Sequence, residues 1–160
     1  MVARGRLLAL PAPRDLKGLR GLMHDGVGVC LRRVEDYDPP LAALARSLGS
    51  SFGAPSVRIQ VFATPGGTHG FGWHYDAEEV FIVQTAGTKD YYFRKNTVEA
   101  RRSSSSTPDF SGIRAETSPL QTARLIAGCL YIPARWWHMA HCREDSLSIS
   151  LGARAGSACT

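Results

Sequence analysis

The sequence predicts a mainly β protein, folded as a barrel or a double-sheet jelly roll behind N-terminal helices. Three observations favour this fold class. The chain has 160 residues, which suffices for one domain over residues 1–160. Its sixteen glycines and nine prolines suit a fold with many turns better than a helical bundle. From residue 56 onward, short apolar runs with the strand period of two alternate with glycine or proline turns.

The first 52 residues are predicted to form a mostly helical cover with one strand. Residues 13–23 carry leucines at helical spacing, and residues 27–31 alternate as in a short strand. A clearer helix begins after Asp38, whose side chain can cap it, and the two prolines that follow suit its first turn. We expect this helix to end at Gly49, because glycine readily adopts the backbone of a C-terminal cap.

Residues 53–155 are predicted to form the barrel core. Residues 57–61 alternate in polarity, whereas residues 80–84 form a continuous apolar run, as in a strand buried on both faces. Residues 99–121 are polar, with two arginines and four consecutive serines, and are predicted to form a long loop. Further short strands are predicted at 91–93, 125–126, 129–132 and 147–151.

Composition limits the classes of function. The formal net charge is +5, which permits an acidic partner such as RNA, an acidic protein or an anionic substrate, although a solvated arginine-rich surface is the simpler interpretation. The four cysteines form no CxxC pair, so no zinc ribbon or redox motif is indicated. No apolar run reaches the roughly 18 residues of a membrane span. We therefore predict a cytoplasmic, reduced protein without a membrane partner.

A metal-binding pattern is visible in Gly70-Phe-Gly-Trp-His74-Tyr-Asp76. Residues two apart on a strand share a face, so His74 and Asp76 can direct an imidazole and a carboxylate to one point. His138 follows a proline turn and a tryptophan pair far downstream. Two histidines and one carboxylate form the facial triad of non-haem Fe(II) enzymes, which leaves coordination positions open for other ligands.

The sequence also resembles a known family. The resemblance spans roughly residues 55–152, and its motifs occur in the family's order and spacing. The chain resembles the JmjC-type 2-oxoglutarate oxygenases of the cupin superfamily, most closely the ribosomal-oxygenase branch. This likeness implies a double-stranded β-helix, the cupin/JmjC-like form of the jelly roll, with N-terminal helices. Four segments carry it: Gly70–Asp76, Val80–Gln84, Gly87–Lys89 and Gly128–His138.

The resemblance implies a site and an activity. His74, Asp76 and His138 match the family's catalytic iron ligands, and Lys89 matches the basic residue that pairs with the distal carboxylate of 2-oxoglutarate. Lys89 is one of only three lysines in the chain. The activity implied is that of an oxidoreductase, a dioxygenase that uses Fe(II), 2-oxoglutarate and dioxygen to hydroxylate a protein or peptide side chain. Three weaker candidates for contacts with the co-substrate are Gln60, Ser148 and Ser150.

Other functions remain open at this point. The substrate of such an oxygenase could instead be RNA or a small molecule. A metal-binding cupin enzyme that does not use 2-oxoglutarate would have no need for a buried cation at Lys89. A catalytically silent binding module would have no reason to keep all three ligands. His24, His69 and His141 lack a converging partner in the sequence and are predicted to be non-ligands.

Overall fold

The computed structural model describes residues 2–3, 6–7, 13–98 and 113–154. The helices in these parts are α1 (Leu16–His24) and α2 (Pro39–Phe52), with single 3-10 turns at Val34–Asp36 and Ile113–Ala115. The strands are β1 (Val2–Ala3), β2 (Arg6–Leu7), β3 (Val29–Arg32), β4 (Ser56–Thr64), β5 (Glu79–Ala86), β6 (Lys89–Arg94), β7 (Gln121–Leu125), β8 (Gly128–Ile132), β9 (Trp137–Cys142) and β10 (Ser146–Arg154).

Two antiparallel sheets build the barrel. The larger has the strand order β3-β4-β10-β5-β8, and the smaller has the order β7-β6-β9. β1 and β2 form a separate pair. The predicted fold class, mainly β with N-terminal helices, is confirmed. The edge strand β3 comes from the predicted helical cover, so that segment also contributes to the larger sheet.

Strand alternation gives the larger sheet two distinct faces. On one face, Val57, Ile59 and Ala153 pack against Ala45 of α2, and Ile59 is fully buried. On the opposite face, Val80 and Ile82 join a second apolar cluster with residues of the smaller sheet. Helix α2 therefore covers the outside of the barrel, and the inner face is turned toward the smaller sheet.

Helix α2 begins as the sequence predicts but ends later. The Asp38 side chain accepts a hydrogen bond of 2.9 Å from the Leu41 amide, and the prolines occupy the first turn. The prediction that the helix ends at Gly49 is wrong, because the cap is Gly53, with a φ of 61°. Gly49 is buried within the helix, where a Cβ atom would lie 3.1 Å from the Ala54 carbonyl oxygen. Gly49 thus permits a close approach of the chain.

The Glu116 carboxylate connects the segment after β6 with the segment before β7 through hydrogen bonds. It accepts hydrogen bonds from the amide and hydroxyl of Thr97 at 2.6 and 2.7 Å, and from the Ser118 amide at 2.9 Å. Burial acts to raise the pKa of Glu116, but the hydrogen bonds from Thr97 and Ser118 prevail and lower it to about 2. Residues 99–112 of the predicted loop lie outside the described residues.

Glu116→Gln is expected to lower the free energy of unfolding at pH 7 by about 2 kcal/mol, because hydrogen bonds to a charged group are lost. The folded-state pKa lies below the ordinary value of 4.5, so the contribution of the carboxylate is present above that value and disappears as the pH falls toward 2. Urea unfolding of both proteins across this range measures the difference. Asp25→Asn, at an exposed carboxylate at the end of α1, is the control. A difference that stays constant down to pH 2 would contradict the assignment.

No helix in the described part of the chain has the length and apolarity that a membrane crossing requires.

Candidate metal centre and adjoining cavity

A cavity of about 180 Å³ lies between the two sheets. The larger sheet contributes Gln60, Ser148 and Ser150 to its wall, and the smaller sheet contributes Lys89 and His138. His74 and Asp76, from the segment between β4 and β5, complete the set of predicted site residues at this cavity. The structure therefore brings together residues that are up to 90 positions apart in the chain.

The two histidines are held side by side by a backbone bridge. The His138 amide donates to the His74 carbonyl at 2.8 Å, and the His74 amide donates back at 3.1 Å. The centroids of the two imidazole rings are 4.2 Å apart. Because both residues belong to one hydrogen-bonded pair, their side chains project on the same face.

Each imidazole is also oriented by a carbonyl oxygen. His74 Nδ1 lies 2.7 Å from the Gly72 oxygen, and His138 Nδ1 lies 2.9 Å from the Trp136 oxygen. A carbonyl can only accept, so in both rings Nδ1 is the donor to that carbonyl and Nε2 is the candidate ligand atom. Burial, together with the charge of His138, lowers the pKa of His74 well below its usual range. His74 is therefore neutral at pH 7, which is the form of histidine that binds metals.

Asp76 is fixed by its backbone. Its carbonyl accepts a hydrogen bond of 2.7 Å from the amide of Arg135, a residue with a left-handed φ of 65° in the turn before His138. The Asp76 carboxylate lies 3.6 Å from His138 Nε2. The potential ligand atoms of His74, Asp76 and His138 all lie within 4.8 Å of one another. This set of two imidazole nitrogens and one carboxylate oxygen fits Fe(II).

Lys89 is a buried cation on the same cavity. Its residue is only 5% exposed, and its ammonium donates a hydrogen bond of 2.8 Å to the Ser148 hydroxyl. Burial lowers the pKa of Lys89. Among the residues that the structure describes, no carboxylate lies within ion-pair distance of Lys89. A desolvated charge without a counterion is costly, so this position favours an anionic ligand.

The weaker candidates also lie on the cavity wall. Gln60 and Ser150 are directly opposite each other on β4 and β10. The Gln60 side-chain oxygen accepts a hydrogen bond of 3.5 Å from the Cys30 thiol. Burial raises the pKa of Cys30 to about 11, so Cys30 is a protonated, weakly nucleophilic thiol at pH 7.

Sequence reasoning missed several residues of the cavity wall. Tyr91 is the most informative, because its hydroxyl and the Lys89 ammonium both hydrogen-bond Ser148. Burial raises the pKa of Tyr91, so it stays a neutral phenol. Its position two residues after Lys89 on one strand was an available signal. Cys30 and Arg32 could not be found in this way, since only the pairing of β3 with β4 brings them to the cavity.

Two histidines that were predicted to be non-ligands, His69 and His141, pair with each other elsewhere in the sheet through a backbone bridge. Both are absent from the His74 cluster within the described residues. Trp137 is fully buried, and its ring lies 4.8 Å from that of Tyr75. These two aromatic residues pack against each other, and each is adjacent in the chain to a candidate metal ligand.

Comparison with known proteins gives a consistent set of relatives. A family model described as a JmjC domain matches residues 39–160. The chain is similar to Ribosomal oxygenase 1 of Gallus gallus, with 35% identity over 69% of this chain and 18% of that protein. It is also similar to the NO66 protein of Dictyostelium discoideum, described as a bifunctional lysine-specific demethylase and histidyl-hydroxylase, with 30% identity over 79% of this chain and 25% of that protein. The chain thus spans a quarter or less of the length of these relatives.

Solved structures show the same fold. The X-ray structure of Escherichia coli ycfD superimposes with a TM-score of 0.60 at 19% identity, covering 99% of this chain and 50% of that chain. A second structure of that protein, a ribosomal oxygenase in complex with cobalt and 2-oxoglutarate, has a TM-score of 0.56 at 18% identity, covering 94% of this chain and 46% of that chain. At these identities the likeness concerns the fold alone.

Proposed function

This chain belongs to the JmjC domain family, and from that premise we propose that it is an Fe(II)- and 2-oxoglutarate-dependent oxygenase that hydroxylates a protein or peptide side chain. One observation carries the proposal. The cluster of His74, Asp76 and His138 opens onto the same cavity as Lys89, a buried cation with no carboxylate partner among the described residues. A metal-binding triad beside a site for an anion is what a 2-oxoglutarate oxygenase requires.

The residues of the triad would hold the metal. His74 and His138 supply Nε2 atoms, because a carbonyl oxygen holds each Nδ1 proton, and Asp76 supplies a carboxylate oxygen. When bound, Fe(II) supplies the redox chemistry by which dioxygen and 2-oxoglutarate are consumed and succinate and carbon dioxide are formed. His74 and His138 are each 7% exposed, so the cavity wall excludes most water from the ligands.

Lys89 and its neighbours would bind the co-substrate. The ammonium of Lys89 would pair with the distal carboxylate of 2-oxoglutarate, and the Ser148 hydroxyl, which accepts a hydrogen bond from that ammonium, would orient it. Gln60 and Ser150 lie further along the same wall and add polar contacts. A cupin enzyme that does not use 2-oxoglutarate offers no reason for burying Lys89, so the cation favours the oxygenase over that alternative.

The described activities of the relatives support a protein as the substrate. These relatives are described as a ribosomal oxygenase and as a lysine-specific demethylase that is also a histidyl-hydroxylase. The second name specifies chemistry on amino-acid side chains, so we extend that substrate class to this chain. Two further points remain predictions from the sequence. One is the organisation into a single domain, with a cover over residues 1–52 and a barrel over residues 53–155. The other is the cytoplasmic location.

Succinate formation tests the activity. The purified protein, supplied with Fe(II), dioxygen and 2-oxoglutarate, is expected to form succinate slowly without a substrate and faster with a peptide or protein that it hydroxylates. Removal of iron with a chelator should stop the reaction. His141→Ala, which changes a histidine outside the triad, should retain it. Absence of iron-dependent succinate formation under all these conditions would refute the proposed function.

A further inference from the structure

Three arginines stand at one end of the inner face of the larger sheet. Arg32 lines the cavity and is paired with Gln60, and Arg58 lies two residues from Gln60 on the same strand. Arg154 lies on β10, four residues beyond the cavity-lining Ser150. Residues separated by an even number of positions on a strand share a face, so all three side chains project from the face that bounds the cavity.

The position of this arginine group relative to the site follows from β10. Successive residues on its inner face are Ser148, Ser150, Gly152 and Arg154. Ser148 binds Lys89, so it marks the end of the cavity proposed for 2-oxoglutarate. The arginine group therefore lies at the opposite end. The exposed side chains of Arg32, Arg58 and Arg154 place it at the solvent-facing end.

The arginine group carries more positive than negative charge. Within the described residues, none of Arg32, Arg58 and Arg154 forms a salt bridge. In the part of the chain that the structure describes, the carboxylate that interacts with all three arginines is that of Glu78, which lies against Gly152, where a Cβ atom would collide with it. Three guanidinium groups thus face one carboxylate. This excess of positive charge, beside the cavity that Arg32 lines, attracts an anion.

We infer that the substrate carries an acidic side chain next to the residue that enters the cavity, and that Arg32, Arg58 and Arg154 bind its carboxylate. This inference rests on the proposed function and specifies the substrate class. Arg32 lines the same cavity as the triad, so the neighbours of a side chain that enters this cavity come within reach of the arginine group. Guanidinium groups form paired hydrogen bonds with carboxylates, which makes such a contact specific as well as attractive.

The layout of the arginine group favours a peptide over a nucleic acid. Arg32 and Arg58 arise from adjacent strands only two residues apart in register, and Glu78 lies beside Gly152, the partner of Arg58. The three arginines therefore form a compact patch that is large enough to bind one or two carboxylates. Binding of a polynucleotide backbone uses an extended basic groove with aromatic side chains on which bases stack.

Fluorescence polarisation with labelled peptide pools tests this inference. The pools are random short peptides in which one position is fixed as Glu, Gln or Lys, and they are mixed with the full chain, Mn(II) and 2-oxoglutarate. The Glu pool is expected to bind at least about fivefold more tightly than the Gln pool, as for one or two partly exposed charge-assisted contacts. Arg32→Gln combined with Arg58→Gln should abolish this preference. Arg58→Glu should shift it toward the Lys pool.

The matched control is Arg20→Gln combined with Arg46→Gln, which removes the same charge from the exposed surfaces of α1 and α2. This variant should keep the preference for the Glu pool. Equal binding of the Glu and Gln pools by the unmodified protein, or an equal loss in the control, would overturn the inference. Tighter binding of a uridine oligonucleotide that depends on the same arginines would also overturn it. Succinate formation is measured separately, so failure of the proposed function remains distinguishable from failure of the inferred preference.

Discussion

Asp76→Ala is expected to abolish Fe(II) binding and the conversion of 2-oxoglutarate to succinate. Asp76 is the anionic member of the triad, and His74 is held neutral, so the variant leaves no charge to balance a divalent cation. Even changes in residues that support metal ligands lower metal affinity by about 10–100-fold, so loss of a ligand should exceed that range. Anaerobic Fe(II) titration and a succinate assay measure the two effects.

The Asp76→Ala protein should still fold. The hydrogen bond from the Arg135 amide goes to the backbone carbonyl of residue 76, which alanine retains. The matched control is Asp25→Ala, which removes an exposed carboxylate at the end of α1 and should leave both readouts unchanged. Iron-dependent turnover in the Asp76→Ala variant would show that the triad is wrongly assigned.

Lys89→Met should raise the 2-oxoglutarate concentration required for half-maximal succinate formation by about 100-fold, the loss expected for a desolvated charge-assisted contact. Methionine keeps much of the side-chain volume and removes the charge. Fe(II) affinity without 2-oxoglutarate should be unchanged, because Lys89 is not among the clustered metal-ligand candidates. Lys95→Met, at an exposed lysine near the end of the same strand, is the control.

The same substitution has a second expected effect. Lys89 is buried without a carboxylate partner among the described residues, so its charge destabilises the protein in the absence of an anion. Lys89→Met should therefore raise the melting temperature without 2-oxoglutarate and eliminate the further rise that 2-oxoglutarate causes. An unchanged 2-oxoglutarate requirement together with a lower melting temperature would assign Lys89 a purely structural role.

Much of the fold was predictable because its signals are local. Asp38 and the two prolines after it specify the start of α2 within a few residues. The alternation of residues 57–61 specifies a strand and its buried face. The end of α2 was not predictable in the same way. Gly49 is a residue type that commonly caps helices, but here it lies within the helix and permits close contact with Ala54. Gly53 is the residue that adopts the left-handed backbone of the cap.

The residues of the candidate site also fall into those that local sequence signals predicted and those that only the fold brings together. The pairing of His74 with Asp76 was predicted from the alternation of side chains along a strand; the structure places both residues between β4 and β5, where His74 forms an isolated bridge with His138. His138 and Lys89 were added through their motifs. Tyr91, Cys30 and the arginine group have no motif. Tyr91, Cys30 and Arg32 reach the cavity wall because β3, β4 and β6 are placed around it, and Arg58 and Arg154 project from the same sheet face.

The sequence by itself indicated the strand pattern and the His74/Asp76 pair through residue type and short-range spacing, whereas His138 and Lys89 were assigned through the motifs of the family that the sequence resembles. Only the tertiary structure decided how His74 meets His138, which hydroxyls meet Lys89, and where Arg32, Arg58 and Arg154 gather. The physical reason is strand register. A shift of one residue in pairing would turn every side chain to the opposite face, and pairing between distant strands depends on packing of the whole barrel.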